Sequence, residues 1–243
     1  MGTTLAQRVA STRTRVVLSG APSFTELYYD SPGNKGNPDI RPEESIGFEL
    51  GHRGTYGIIR THFAAHYRNG TNVIDWIREA GSYQWIASNI QEVVAIGTDA
   101  VLKVIPEGIL GKYLLSAEIG YSFLTMERDG TRAEAAYCVA QSATSSAEMQ
   151  YKYGMNYLSH AAVLGAHHTV FRSLKQNWRL RLEKRENMDE VRPILDARTY
   201  MDYQNVTLFF EVTNLLNVEH ADYAGVEQPG WWPRAGIVVN LGE

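Results

Sequence analysis

Apolar residues return at every second position along much of this chain, most cleanly near its end. Val206, Leu208, Phe210 and Val212 fall on one face, with Thr207, Phe209 and Glu211 between them. A repeat of two is the period of a strand and not of a helix. The stretch before it alternates too, with Leu195, Ala197, Thr199 and Met201 against Asp196, Arg198, Tyr200 and Asp202. The two-residue break at Gln204-Asn205 makes these two stretches a hairpin. Upstream, the same plan repeats. Residues 13–19 form a weak first strand. Residues 44–53 set Ile46, Phe48 and Leu50 on one face. After a tight turn at Arg53-Gly54, residues 55–69 oppose Ile59, Phe63, Ala65 and Tyr67 to Arg60, His62, His66 and Arg68. Residues 93–105, 112–126, a fainter 158–170, and 176–185 continue the series. With the final three, the last at 236–241, the pattern predicts about ten strands.

Strand length and loop length sharpen that picture. Several predicted strands exceed the five or six residues usual in globular sheets and approach what a tilted strand needs to cross a bilayer. Predicted connections alternate between short and long. Those near Gly54, at 106–111, at 171–175 and at Gln204-Asn205 are short. Those at 30–43, 70–92, 127–150, 186–193 and 214–235 are long. A barrel with short turns at one rim and long loops at the other has this asymmetry; a soluble sandwich has no reason for it. The alternation itself does not separate the two. Residues 133–147 break the pattern and are expected to form a short helix or a mobile loop.

Composition removes several alternatives. No run of about 18 apolar residues is present, so no transmembrane helix is expected, and the alternation of a membrane barrel would leave no such run. A net charge of −4 over 243 residues disfavours a nucleic-acid partner. The single cysteine, Cys138, rules out an internal disulfide framework and a Cys-based zinc cluster. The 14 Tyr and 5 Trp suit interfacial girdles. Residues 1–20 lack a secretory apolar core, because Val16-Val17-Leu18 is short and flanked by Arg13 and Arg15.

Two motifs resemble a known family. Residues 23–51, SFTELYYDSPGNKGNPDIRPEESIGFELG, resemble a segment in the C-terminal half of TonB-dependent outer-membrane receptors. There a Ser/Pro-rich strand end runs into a Gly-Asn-Pro loop that closes on Pro-Glu and then into a strand. Here that loop is Gly36-Asn37-Pro38-Asp39-Ile40-Arg41-Pro42-Glu43, followed by Glu49-Leu50-Gly51. Residues 211–241, EVTNLLNVEHADYAGVEQPGWWPRAGIVVNL, are similar to that family's closing hairpin. Ser88-Asn89-Ile90 with Gly97 resembles a strand beginning in the middle of the barrel. Tyr157-Leu158-Ser159-His160 is similar to a motif of cobalamin-receptor-like members.

The resemblance covers residues 15–241. It implies an all-β, antiparallel up-and-down transmembrane barrel, present in part as about ten C-terminal strands of about 22, without a plug domain. The expected organisation is a disordered or non-native extension over 1–12 and barrel over 13–243. Two departures bear on function. The family's plug and leading segments have no counterpart here, and Val239-Asn240-Leu241-Gly242-Glu243 replaces the family's terminal aromatic residue. A fragment that does not work alone is therefore expected.

Both motifs read as loop geometry and not as ligand contacts. Asn37-Pro38 and Arg41-Pro42 stiffen a loop. Asn214 and Asn217 suit positive-φ positions where a strand ends, and Pro229-Gly230 turns the chain back. No Walker loop, GxGxxG, HExxH or GxSxG is present, so no enzyme activity, cofactor or catalytic residue is expected. His62 and His66 share a polar strand face, and a lumenal pair is the better reading than a metal site. His167 and His168 point to opposite faces. Glu43-Glu44 reads as surface solvation. Trp76, Tyr83, Trp85, Trp231 and Trp232 are placed in or beside long loops, at the membrane interface.

The resemblance implies import of a scarce chelate, cobalamin or a ferric siderophore, into a bacterium across its outer membrane. The expected partners are outer-membrane lipid, the remaining strands and plug of the same receptor, the TonB complex and the small chelate. Ligand-binding residues are not legible. The rival readings are a self-sufficient small outer-membrane barrel, acting as pore or adhesin, and a soluble β-sandwich binding module.

Overall fold

The computed structural model describes residues 8–79, 81–128, 149–152, 157–171, 173–186, 188–219 and 227–240. Ten long strands form one antiparallel meander. They are β1 (Arg8–Gly20), β3 (Glu43–Tyr56), β4 (Ile59–Glu79), β5 (Trp85–Val104), β6 (Leu114–Arg128), β8 (Leu158–Phe171), β9 (Leu174–Arg185), β10 (Arg192–Tyr203), β11 (Val206–Thr213) and β12 (Trp232–Val239). Each pairs with its neighbours in chain order. Two short strands complete the sheet: β2 (Asn34–Lys35) on β5 and β7 (Met149–Tyr151) on β4. The helices are α1 (Phe24–Tyr28) and α2 (Gly108–Tyr113). None is long and apolar enough to cross a membrane among the described residues.

Among the described residues no second layer covers the sheet, and that decides how its two faces are read. Paired residues share a face, so the register assigns each side chain. Ile119, Leu102, Leu164, Leu180 and Leu195 fall in one row on the apolar face. Phe48, Leu50, Phe63, Ile96, Tyr121, Leu208, Phe210 and Ile237 share that face and are all more than a third exposed. Only eight apolar residues are buried among those described, and several belong to one small cluster off the barrel wall. An exposed apolar face opposite a polar one is the two-faced pattern of a membrane-barrel wall, with lipid on the first side and a lumen on the second.

Connection lengths follow the predicted alternation in part: the three longest fall at one end, but the α2 connection at the other end outruns 80–84 and 186–191. One end carries Gly57-Ile58, the α2 turn, 172–173 and Gln204-Asn205; the other carries 21–42, 80–84, 129–157, 186–191 and 214–231. Ten strands place β1 and β12 antiparallel at the two edges.

Several expected boundaries move. The first strand begins at Arg8, five residues before 13, so residues 8–12 belong to the wall and not to an extension; 1–7 lie outside the described residues. The first short turn is at Gly57, not Gly54, because φ there is +59°, a value glycine adopts without strain. Gly54 stays in β3. The predicted long loop at 70–92 is mostly strand: β4 and β5 pair from Val73↔Ile90 to Ile77↔Ile86, building a hairpin that stands above the wall. The predicted irregular segment 133–147 and the chain's last three residues lie outside the described residues.

Candidate functional site

The polar face and the structures above it form one continuous surface. Across the wall, charges pair from strand to strand. Lys103 Nζ lies 3.4 Å from Glu118, and His66 Nδ1 lies 3.8 Å from Asp99, which accepts the Ser122 hydroxyl at 2.6 Å. Arg181 lies between Glu183 (2.9 Å) and Asp196 (3.7 Å). Glu211 takes Arg234 at 2.7 Å and Arg198 at 3.8 Å, and the Arg198 guanidinium covers the Phe209 ring at 4.5 Å. Toward the short-turn rim, His167 stacks on Tyr200 with its Nε2 2.7 Å from the hydroxyl, and Lys175 reaches Asp202 at 2.8 Å. Half-exposed pairs of this kind add little stability each. Their consequence is a water-wet wall of alternating sign.

His62 and His66 do share the polar face, through their pairing with Val101 and Gly97. Among the described residues, no group of three or more His, Cys, Asp or Glu side chains converges on a point. His167 and His168 diverge as expected: His168 turns to the apolar face, where Trp178 Nε1 donates to it at 3.2 Å.

Above the wall, the β4–β5 hairpin is roofed by the loop 21–42. Ile74, Trp76, Trp85, Ala87 and Asn89 lie on the hairpin's inner face by register. Ile40, Trp76 and Ala87 are buried together, with Leu27, Ile74 and Trp85 packed against them. Helix α1 is started by a capping box between Ser23 and Glu26 and delivers Leu27 to this cluster. Trp76 and Trp85 are therefore the core of a crown over the lumen, which corrects their expected place at the membrane interface. Lys152 Nζ lies 5.7 Å from the Trp76 ring and 5.9 Å from that of Trp85, and donates to Asn34 Oδ1 at 3.2 Å. Tyr83 stays 89% exposed near the hairpin tip. Trp231 and Trp232, both half-exposed, lie at the loop-side start of β12.

Asn89 clamps the roof. Its Oδ1 accepts the Arg41 N–H at 2.8 Å, and its Nδ2 donates to the carbonyls of Arg41 (3.0 Å) and Asn72 (2.7 Å). Two of the motifs read from the sequence thus meet across 48 residues, a contact that strand alternation could not announce. Asn89→Ala is expected to release the loop at a cost of about 1–2 kcal/mol, the worth of unpaired backbone groups that water partly recovers. Amide exchange at Arg41 should rise with no change at Phe63 or Leu102.

The closing hairpin is knotted by its two asparagines. Asn214 and Asn217 have φ of +52° and +54°, as their residue type predicts. Asn214, 3% exposed, exchanges hydrogen bonds with Val218 at 2.9 and 3.0 Å, and its N–H donates to Asp196 at 2.9 Å. Asn217 Oδ1 accepts the Trp231 N–H at 2.9 Å, which draws the returning chain to β12. Asn214→Gly keeps the backbone angle and deletes the side-chain bonds. It is expected to cost about 1–3 kcal/mol, read as a lower melting midpoint in detergent and faster exchange at Val218.

Comparisons with known proteins agree on this wall. The family model for a TonB-dependent receptor-like β-barrel matches residues 14–215. The vitamin B12 transporter BtuB of Vibrio vulnificus is 30% identical over 79 residues, which is 32% of this chain and 12% of that protein. Among solved structures, the copper transporter OprC superposes with a TM-score of 0.69 at 12% identity, over 95% of this chain and 37% of its own. The ferric enterobactin receptor PfeA of Pseudomonas aeruginosa, in complex with enterobactin, gives 0.67 at 11%, over 98% and 39%. The siderophore receptor PirA of the same organism gives 0.61 at 13%, over 96% and 36%. The chain therefore spans less than two fifths of the length of each of these proteins.

Proposed function

The chain belongs to the TonB-dependent receptor-like β-barrel family, and from that membership we propose that it forms the C-terminal part of the wall and crown of a receptor that imports a scarce chelate across the bacterial outer membrane. The observation that carries the reading is the single antiparallel meander, apolar on one face, ion-paired on the other, with its three longest connections at one end. In this reading lipid packs on the apolar face, and the plug and remaining strands of the same receptor meet the polar face and the two edges. The TonB complex supplies energy through the plug. The crown around Trp76 and the loop 214–231 form part of the ledge on which the chelate is first held. No residue of this chain is assigned a catalytic part.

Cobalamin is the preferred cargo and a ferric siderophore the second. The preference rests on the Tyr157-Leu158-Ser159-His160 stretch and on the likeness to a B12 transporter over 79 residues. The test is uptake of labelled cyanocobalamin and of a ferric catecholate by cells stripped of their own receptors and given the receptor that contains this chain. Cyanocobalamin uptake that stops when the proton-motive force is collapsed is expected. Solute influx that ignores the proton-motive force would instead establish a passive pore.

A further inference from the structure

Among the described residues, three separate stretches of chain build the crown. Strand β7 lies along β4, with Tyr151 opposite Ile77 and Gln150 opposite Arg78. Strand β2 runs parallel to β5, with Asn34 opposite Trp85 and Lys35 opposite Ile86. The order across the crown is therefore β7, β4, β5, β2, with the β4–β5 hairpin in the centre. Strands of two and three residues make few ladder bonds, and such bonds are worth about as much as the backbone entropy they cost. Side chains have to hold the two edges down.

One side chain reaches both. The Lys152 N–H donates to the Trp76 carbonyl at 2.9 Å and so fixes the end of β7. From there the side chain crosses the inner face of the hairpin. Its ammonium stands 5.7 Å from the Trp76 ring and 5.9 Å from the Trp85 ring, and donates to Asn34 Oδ1 at 3.2 Å, 118 residues away in sequence. The Arg78 guanidinium covers Trp85 at 4.4 Å, so this indole carries two cations. Two aromatic faces and an amide oxygen give the ammonium three favourable partners at once.

We propose that Lys152 is the latch that makes the crown a single two-state lid. Strands β7 and β2 leave the hairpin together and return together, because the ammonium that holds one edge holds the other. A disturbance at either edge is then felt across the width of the hairpin, with equal strength in both directions. Such a lid gives the lumen one closed and one open state, where unlinked loops would give several. The coupling is a property of the folded chain and does not depend on which chelate is carried, so a failed uptake assay leaves it standing.

The test is amide exchange on the 243-residue chain refolded in detergent, read at both edges. The Trp85 N–H, which donates to the Gly33 carbonyl at 2.9 Å, reports on β2, and the Lys152 N–H reports on β7. Lys152→Met keeps the stem and removes the ammonium. It should speed exchange at Trp85 about threefold to tenfold, although β2 and β5 are unaltered. Asn34→Ala should speed exchange at Lys152 by a similar factor, although β7 is unaltered. The N34A/K152M variant should exchange no faster at Trp85 than the faster of the two single variants. Lys152→Arg, which keeps a cation over the rings, should stay within about twofold of the unaltered chain. Heat-modifiable gel mobility checks folding. If Lys152→Met failed to fold, Asn34→Ala alone would decide, since it reads the same coupling from the other side. Effects confined to the edge that carries the substitution, or effects that add in the double variant, would overturn the proposal, and the crown would be a set of loops that open separately. Exchange as fast in Lys152→Arg as in Lys152→Met would overturn it too, because the charge would not be what joins the edges.

Discussion

Trp76→Ala is expected to cost the crown about 3–5 kcal/mol, the range for removing a buried Trp from a packed cluster. Trp76 is 6% exposed and packs with Ile40 and Ala87. Its carbonyl also accepts the Lys152 N–H at 2.9 Å. The cluster is small, so no second core layer can collapse into the space left. What makes the prediction specific is where the loss should be felt. The crown stands above the wall, held by the Asn89 clamp and by Glu43, whose carboxylate accepts the Ile74 N–H at 2.5 Å. Limited trypsin digestion should then cut after Lys35 and Arg78 in the variant and spare them in the unaltered chain. The melting midpoint of the barrel, followed by heat-modifiable gel mobility, should stay within about 2 °C, as expected when a local unit opens by itself. Loss of the whole barrel instead would mean that crown and wall unfold as one unit.

That crown is also where sequence reading stopped short, for a physical reason. A wall strand meets lipid on one side and water on the other, so its residues alternate strictly, and 59–67 or 206–212 can be read directly. The hairpin above the lipid has no such constraint. Val73, Ile74, Trp76 and Ile77 are apolar on both faces, because loop 21–42 covers one of them. The period of two vanishes there while the strand continues, and 70–92 reads as a loop. The same logic explains the late start assigned to β1. Residues 10–12 are small or polar on both faces, and an edge strand with mixed faces gives no alternation to detect. The asparagine turns were legible for the opposite reason: few residue types other than glycine tolerate a positive φ, so Asn214 and Asn217 announce the geometry by themselves. The Asn89–Arg41 contact was not legible, because a bond across 48 residues leaves no local trace.

Reading the faces correctly has its strongest consequence at mid-wall. Ile119 lies 51% exposed on the apolar face between Leu102 and Leu164, in a row that continues through Leu180 to Leu195. Ile119→Arg places a charge against hydrocarbon at about the middle of the strand and is expected to cost about 2–4 kcal/mol. Leu180→Arg, two strands along the same row, should cost about as much, because lipid and not a particular neighbour sets the penalty. Asn177→Arg is the control. It introduces the same side chain on β9, but on the polar face opposite Arg198 and His167, where water solvates it and only weak like-charge repulsion remains. Unfolding in urea from lipid vesicles should therefore separate the two faces, with both outward variants shifted strongly and the inward one by less than about 1 kcal/mol. If Asn177→Arg proved as damaging as Ile119→Arg, the polar face would have to be buried against protein and not open to a lumen. If neither outward variant lost stability, the apolar face would not be facing lipid at all. The position along the strand supplies a finer check, since the penalty falls to about 0–1 kcal/mol at the interface. Tyr67→Arg, at the long-loop edge of the band, should cost markedly less than Ile119→Arg.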